Sequence, residues 1–449
     1  MINIFRANIS FKHILNTLGL YYDSGDTISE FKPLDPFFTF GLGKNPIDGF
    51  YYFGTMSKGG APLNRSQYVF KYDITTNQII EQVHIPKSAG ITSSYDVHAI
   101  PTIQFDALGH IYMTVEKCKN NTGWSDGHVT DVLIYKTEIA GDLSTMILWS
   151  TIVSQSSYPK LFINGTTYYC QVRGLTNSYS IIDATIKKSI DSGGTWTEYV
   201  IATLTSSPLR RPYTNTVMNF DNSTIALAMN IRNDTVGVFE SLNFMQSIDG
   251  VNWSNALVNF TKNVSVDGAL TLSEINTNMS IWYVDPSLYQ VCFEGGCLKD
   301  GVIKILASKS ELSPTIVDNN RQTKYIELRL YTFDNGVWTY NDVSSFLPAN
   351  HWHFWAYERT LQYVPSLNED CIFVLDNRNT ADIKLSRYKS TDNFNSYQQK
   401  IVFKGAGNYY YGSHAFNSIS LDEQLIILND TQGAYTNSSD SSNLRIVNP

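Results

Sequence analysis

The sequence predicts an all-β fold, and three observations support that prediction. Of the 449 residues, 43% are apolar, 13% are aromatic and only 16% are charged, below the roughly 25% usual for soluble domains. This composition excludes intrinsic disorder, which requires few aromatic residues and a high net charge. It also excludes coiled coils, which are rich in Ala, Glu, Lys, Leu and Arg. The other two observations are a series of short strand-like segments and a recurring turn motif.

The strand-like segments are short runs of β-branched and aromatic residues, each bounded by Gly, Asn, Asp or Pro. They are FYYFGTMS, QYVFKYDI, HIYMTVEK, DVLIYKTEI, TTYYCQVRG, TIALAMNI, SIWYVDP, IELRLYTF, DCIFVLDN and QLIILND. Outside residues 10–20, no long stretch of the sequence has a helical period. We therefore expect strands along the whole chain, separated by turns.

A turn motif recurs four times. It reads Ser-x-Asp-x-Gly-x-Thr-Trp in KSIDSGGTW, which ends at Trp196, and a shorter copy is SIDGVNW. The other two are TFDNGVW, around Asp334, and STDNFNSY, in which Phe394 stands where the first copy has Gly193. In such turns Asp and Ser side chains cap backbone amides, and Gly supplies a positive φ. We expect each copy to be a structural hairpin turn, with an insertion near residues 292–321 lengthening one interval.

This turn resembles the Asp-box, or BNR repeat, of β-propellers, which joins outer strands of a blade away from the active face. The resemblance implies an all-β, six- or seven-bladed β-propeller over residues 36–449, preceded by a short N-terminal extension at residues 1–35. Blade starts are expected near residues 37, 98, 158, 211, 271, 351 and 414. The last unit is short, so its closure calls for a strand from elsewhere in the chain.

Three consecutive predicted blades open on segments similar to the BNR-4 branch of propellers, which includes ulvan-type polysaccharide lyases. The matching segments are YDVHAIP with His98, Gly127-His128, Tyr158-Pro159, Arg173-Gly174 and Arg211-Pro212-Tyr213. Three departures are Ala99, where that branch has a polar residue, a longer loop before His128, and Gly174 directly after Arg173 instead of one residue later. The resemblance implies a carbohydrate-active enzyme.

The reaction implied by the resemblance is β-elimination on an acidic, uronate-containing glycan. A lyase of this kind removes the proton α to the carboxylate and expels the 4-linked sugar. A permanently charged Arg suits neutralisation of the carboxylate, and His or Tyr suits the proton transfers. By resemblance the catalytic candidates are His98, His128, Tyr158 and Arg173. The substrate-binding candidates are Arg210, Arg211, Tyr213, His353 and His414, the last two at later predicted blade entries.

A structural role is the alternative for each of these residues. A histidine at the start of a strand can be a hydrogen-bonded structural residue, and an arginine at a strand end can pair with a surface acid. A sialidase is disfavoured, because FRAN at Phe5–Asn8 keeps only the first two residues of an F-R-I-P entry. The alternative function is a non-catalytic glycan- or receptor-binding propeller of a phage virion or tail. Ala99, the long loop before His128 and a low-charge surface rich in Asn, Tyr and Ser favour that alternative.

Charge, apolar runs and cysteines limit the partners and the location. The net charge of −8, without a basic stripe, argues against nucleic acid, and no apolar run is long enough to span a membrane. We expect an extracellular or virion-associated protein that contacts a polysaccharide, a cell-surface glycan or other virion proteins, although the sequence shows no clear signal peptide. No cofactor is expected, with structural Ca²⁺ as the one ion that the acidic loops suggest. Cys292 and Cys297 enclose a predicted loop tip that could close as a disulfide, whereas Cys118, Cys170 and Cys371 are expected to be buried thiols.

Overall fold

The structure is a computed structural model. It describes residues 26–31, 42–56, 67–76, 78–85, 101–117, 130–175, 182–204, 209–219, 224–257, 259–317, 320–348, 352–354, 361–365, 369–376, 382–405, 409–414, 426–431 and 442–447. The strands within these ranges form six sheets, and each sheet is one blade. The chain is therefore a six-bladed all-β propeller. This confirms the fold class predicted from the composition and the repeat.

The strands succeed one another along the chain with turns between them. In the first half they are β1 (Asp26–Phe31), β2 (Leu42–Lys44), β3 (Tyr51–Met56), β4 (Gln67–Asp73), β5 (Gln78–Ile85), β6 (Thr102–Phe105), β7 (Ile111–Lys117), β8 (Thr130–Thr137), β9 (Met146–Asn164), β10 (Thr167–Leu175), β11 (Ile182–Ser189) and β12 (Thr197–Thr203). A short 3₁₀ turn, Leu143–Thr145, precedes β9.

In the second half they are β13 (Arg210–Thr216), β14 (Met218–Asn219), β15 (Ile225–Asn233), β16 (Val238–Ser247), β17 (Asn252–Ser254), β18 (Thr261–Asn263), β19 (Ser280–Tyr283), β20 (Tyr289–Lys299), β21 (Val302–Val317), β22 (Asn320–Asp334), β23 (Val337–Asp342), β24 (Trp352–Phe354), β25 (Leu361–Pro365), β26 (Asp370–Asp376), β27 (Ile383–Ser390), β28 (Gln398–Gly405), β29 (Tyr409–His414), β30 (Ile426–Thr431) and β31 (Ser442–Val447). Helix α1 (Leu272–Asn278) and a 3₁₀ turn, Ser344–Phe346, lie between strands.

Most sheets take their strands in chain order. The orders are β2-β3-β4-β5, β6 through β12, β13-β15-β16-β17-β18 with β19 also on β16, β14-β20-β21-β22-β23 with β24 also on β22, β25 through β28, and β29-β30-β31-β1. In the last of these, β1 pairs antiparallel with β31. The expected closing strand thus comes from the N-terminal side, and residues 26–31, inside the predicted extension, belong to the propeller.

The seven-stranded sheet consists of two four-stranded units that share β9. This strand is 19 residues long, and it pairs with β8 through its first half and with β10 through its second half. We call the two units the β6–β9 unit and the β9–β12 unit, and the next sheet the β13 sheet. The part of β9 that pairs with β10 begins at Ser156, two residues before the predicted blade start at Tyr158.

Two predictions about the second half of the chain differ from the structure. The blade start expected near residue 271 is instead helix α1, because Thr271 and Glu274 form a reciprocal capping box at its N-terminus. The expected insertion near residues 292–321 is formed by the long strands β20, β21 and β22. Cys292 and Cys297 therefore both lie within β20, not at a loop tip, and both are free thiols.

Three of the four recurrent turns have the same hydrogen bonds. In the first, Gly193 N donates to Ser189 Oγ (2.9 Å) and Thr195 N donates to Asp191 Oδ1 (2.8 Å). The Thr195 amide and hydroxyl lower the pKa of Asp191 to about 2. The equivalent bonds to serine run from Gly250 N to Ser247 Oγ (2.9 Å) and from Phe394 N to Ser390 Oγ (2.8 Å). These three segments are structural turns, as predicted.

The copy around Asp334 is a different turn. Asp334 is the register partner of Val337, so only Asn335 and Gly336 connect β22 to β23. Both central residues have positive φ, +49° and +82°, as in the two-residue turns that suit the twist of a β-hairpin. The Asp-Asn-Gly segment therefore forms the turn through its backbone conformation, and no serine side chain caps it as in the other three copies.

The apolar core lies between neighbouring sheets. One cluster joins Tyr169 and Ile186 of the β9–β12 unit to Met245 and Trp253 of the β13 sheet. Trp253, from the second recurrent turn, is completely buried in it. Because each sheet packs on the next, residues at the ends of neighbouring inner strands are brought together.

A tyrosine–lysine pair also recurs between the second and third strands of three successive units. The register partners are Tyr52 with Lys71, Tyr112 with Lys136 and Tyr169 with Lys188. The lysine Nζ lies 5.5, 5.0 and 5.6 Å from the respective ring centroids. Lys71 Nζ donates to the carbonyl of Gly141 (2.7 Å) and Lys188 Nζ to that of Asp249 (3.0 Å), each in the next unit. These bonds link adjacent units.

Candidate functional site

The centre of the candidate site is an arginine that contacts two neighbouring tyrosine rings. Arg173, near the end of β10, has its guanidinium carbon 4.2 Å from the ring centroid of Tyr158 and 5.2 Å from that of Tyr213. The two ring centroids are 6.4 Å apart. Arg173 and Tyr158 are buried, at 4% and 7% exposure. This geometry allows cation–π attraction in a partly desolvated site.

The backbone of Tyr158 has an unusual conformation. Its φ is +58°, in the left-handed region that bulky residues seldom adopt. Pro159 follows, and a residue before proline is normally extended. The pairing of β9 with β10 is interrupted at this point, with a register shift between Gln171 and Arg173 of β10. Backbone strain of about 1–3 kcal/mol persists only where the surroundings enforce it, and such positions cluster at functional sites.

The charges around Tyr213 change its acidity. Burial by itself would raise the pKa of Tyr213, but the positive charges of Arg173, Arg232 and Arg211 together lower that pKa below the ordinary value of 10.0. The phenol therefore loses its proton more readily than a tyrosine in water. An acidic phenol beside several guanidinium groups is an arrangement that can both bind an anion and transfer a proton.

Arg210 and Arg211 have acidic partners within the protein. Arg210 Nε pairs with Glu240, and Arg211 Nε pairs with Asp234. Asp234 also lies 3.4 Å from the Nε of Arg232. Part of the charge of both predicted substrate-binding arginines is thus balanced internally, although their contact with substrate stays a prediction.

Two of the four predicted histidines lie within the described residues. His98 and His128 lie outside the described residues. His353 lies in β24, opposite Thr323 near the start of β22. His414 is the last residue of β29, opposite Ile426 at the start of β30. Among the predicted residues that the structure describes, it therefore brings together Tyr158, Arg173 and Tyr213, and Arg211 lies close enough to Tyr213 to act on its pKa.

The recurrent turns lie at the opposite end of the strands from this site. Arg173 is the register partner of Ala184, near the start of β11, whereas the first turn begins at Ser189, where β11 ends. Five residues of extended strand separate the two positions, which is about 17 Å at roughly 3.4 Å per residue. His110 is at the turn between β6 and β7, where its Nδ1 lies 2.9 Å from Asp106 Oδ2, a structural contact.

Three residues near the site were not singled out by the sequence: Lys160, Arg232 and Asp234. The segment Ile231–Asp234 ends a strand with two charged residues, and Arg232 is the register partner of Arg211. A charge cluster at the end of a predicted strand was a signal for Arg232 and Asp234. No comparable signal marked Lys160, because a lysine inside a strand usually points to solvent.

Metal sites and membrane spans were searched in the described residues. No group of three or more His, Cys, Asp or Glu there is placed to hold a metal ion. No helix in the same part of the chain has the length and apolar character needed to cross a membrane. The expectation about cofactors stays a prediction.

Comparisons with known proteins agree on the fold. No protein-family model matches the chain, and no curated protein matches it. Among solved structures, one described as a new family of polysaccharide lyase, PL25 ulvan lyase, has a TM-score of 0.66 at 14% identity and covers 95% of both chains. The same lyase bound to -[GlcA(1-4)Rha3S]- has a TM-score of 0.63 at 14% identity, over 95% of this chain and 94% of that one. The polysaccharide lyase Uly1 has a TM-score of 0.56 at 12% identity, over 88% of each chain. Identities this low establish a shared fold.

Proposed function

We propose that this chain is a carbohydrate-active propeller that cleaves an acidic, uronate-containing glycan by lyase-type β-elimination. The observation that carries the proposal is the contact of the Arg173 guanidinium with the rings of both Tyr158 and Tyr213. The likeness of fold to polysaccharide lyases over nearly the whole chain supports it. The recurrent turns, which we propose are Asp-box turns, hold the units together at the other end.

Arg173 supplies the first requirement of the reaction. The proton α to a carboxylate is weakly acidic, because its removal places a second negative charge on the carboxylate group. A planar guanidinium that binds both carboxylate oxygens stabilises that developing charge. Burial of Arg173 strengthens this interaction, since charge pairs are less screened away from water.

Two proton transfers complete the reaction, one from the α carbon to a base and one from an acid to the departing sugar oxygen. Tyr213, whose lowered pKa favours loss of its proton, suits acceptance of the α proton. The Tyr158 phenol suits donation to the departing oxygen. By the family resemblance His98 is a further base or acid candidate and His128 would assist, and no cofactor enters these steps. Positioned acids and bases typically contribute about 10²–10⁴-fold each.

The test is turnover of a panel of uronate polysaccharides, followed by the ultraviolet absorbance of the unsaturated product. We expect activity on at least one polymer, and a loss of at least about 10²-fold in Tyr158→Phe. The matched control is Tyr112→Phe, which removes a hydroxyl bonded to Tyr168 (3.2 Å) far from the site. No turnover with any polymer, or equal loss in both variants, would contradict the proposal.

The second candidate is a glycan-binding propeller without turnover, in a phage virion or tail. The internal pairing of Arg210 with Glu240 and of Arg211 with Asp234 favours it, because fewer charges are left to activate a substrate carboxylate. Binding on a glycan array without product formation would support this candidate. A gene neighbourhood of tail proteins would support the virion location.

A further inference from the structure

A buried lysine lies directly beneath the candidate site. Lys160 is 2% exposed and follows Tyr158 by two residues in β9. Its register partner in β10 is Gln171, which precedes Arg173 by two residues. Its Nζ donates a hydrogen bond to the carbonyl of Thr214, the residue after Tyr213 in β13. Lys160 therefore belongs to one of the three strands that carry the site, pairs through its backbone with the second and bonds through its side chain to the third.

The bond to Thr214 crosses between sheets. The strands β9 and β10 belong to the seven-stranded sheet, whereas β13 pairs with β15 in the next sheet. Burial of an ammonium group is costly unless it is hydrogen-bonded, and an apolar side chain of similar volume is often tolerated as well or better. Core packing therefore does not by itself require a lysine here.

We propose that Lys160 is a positioning residue that holds the Tyr213 segment of β13 against the strands that carry Tyr158 and Arg173. Its effect on turnover rests on the proposed function, but its effect on the geometry does not. Without the bond, the Thr214 carbonyl loses a buried donor and the β13 segment is free to shift from Arg173. A misplacement of roughly 1 Å in such a site can reduce a rate by about 10².

The chain contains a matched control for this bond. Lys188 also donates from Nζ to a backbone carbonyl, that of Asp249 (3.0 Å), and it also joins the β9–β12 unit to the β13 sheet. It does so at the end of the strands where the recurrent turns lie. Removal of Lys188 should weaken the same contact between sheets without moving Tyr213.

The experiment compares Lys160→Met with Lys188→Met by two readings. The first is the ultraviolet titration of tyrosinate, in which the component assigned to Tyr213 is the one lost in Tyr213→Phe. Since the charges of Arg173, Arg232 and Arg211 lower the pKa of Tyr213, separation from Arg173 should return that component toward higher pH in Lys160→Met alone. The second is turnover, where we expect kcat to fall about 10- to 100-fold in Lys160→Met with a smaller change in KM, and Lys188→Met to keep wild-type values.

The proposal is overturned if folded Lys160→Met leaves the Tyr213 titration unchanged, or if Lys188→Met shifts it equally. Where Lys160→Met does not fold, Lys160→Gln is measured instead, by both the titration and the turnover. The glutamine side chain is too short to keep the hydrogen bond to the Thr214 carbonyl. If no glycan is turned over, the proposed function fails while the titration still decides the role of Lys160.

Discussion

The guanidinium carbon of Arg173 lies 4.2 Å from the centre of the Tyr158 ring, although the two residues are on different strands and Tyr158 has a φ of +58°. Tyr158 lies in β9 at the register shift opposite Gln171 and Arg173 of β10. This relationship places a buried cation against an aromatic ring at the candidate site.

The first prediction concerns Arg173. Arg173→Lys keeps the positive charge but loses the planar, two-pronged guanidinium, so we expect kcat/KM on a uronate glycan to fall about 10²–10³-fold. The matched control is Arg329→Lys, because Arg329 also contacts two rings, 4.3 Å from Trp282 and 4.2 Å from Tyr340. Steady-state kinetics of both variants, with thermal unfolding to confirm folding, make the measurement. Wild-type kinetics in folded Arg173→Lys would exclude the assigned role.

The second prediction concerns the pH dependence of Tyr213. Its lowered pKa means that, between that pKa and 10.0, the folded protein binds fewer protons at this position than the unfolded chain. The contribution of Tyr213 to the free energy of unfolding therefore rises with pH through that window and is lost as the pH falls through the folded pKa. The difference in unfolding free energy between wild type and Tyr213→Phe should increase over the same window.

Tyr112→Phe is the control for this measurement, because burial and the hydroxyl of Tyr168 raise the pKa of Tyr112. It should not remove the tyrosinate component that titrates below pH 10. If that component survives Tyr213→Phe, the assignment of an acidic phenol to this site is wrong.

The third prediction tests the packing of the first recurrent turn. Gly193 has a φ of +80°, and a Cβ there would lie 2.6 Å from Trp149 of the preceding unit. Gly301 has a φ of +79° with nothing near the position of a Cβ. Both alanine variants carry the cost of a left-handed residue, about 1–2 kcal/mol, and Gly193→Ala adds about 1–3 kcal/mol of overpacking. Chemical denaturation of the pair measures the difference, and equal stabilities would refute the packing argument.

The fourth prediction separates stability from function. Ser189→Ala leaves the buried amide of Gly193 without its acceptor, so we expect the free energy of unfolding to fall by about 1–3 kcal/mol. Because Ser189 lies about 17 Å along the strand from the level of Arg173, glycan turnover or binding should be unchanged. Reduced turnover in a variant of unchanged stability would place the recurrent turns at the functional end.

Much of the architecture was open to prediction from local sequence. Segments such as DCIFVLDN and QYVFKYDI are strands because β-branched and aromatic runs between turn residues favour extended backbone. Turn chemistry is equally local, since Ser189, Asp191 and Gly193 bond within one short segment. For the same reason the entries near Tyr158 and Arg211 were predictable as blade starts.

The composition of the site was not open to prediction in this way, because it depends on pairs far apart in the chain. Local sequence carried no signal that Arg210 pairs with Glu240 or that Arg211 pairs with Asp234. Tyr158 before Pro159 favours an extended backbone, and only the surrounding strands impose its positive φ.

The sequence by itself determined the strands, the recurrent turns and the residue types available at the blade entries, because those follow from interactions within a few residues. Only the tertiary structure decided that Arg173 meets Tyr158 and Tyr213, that Lys160 bonds to Thr214, and that β1 closes the last sheet. The physical reason is that packing of sheets joins residues whose separation along the chain leaves no local signal.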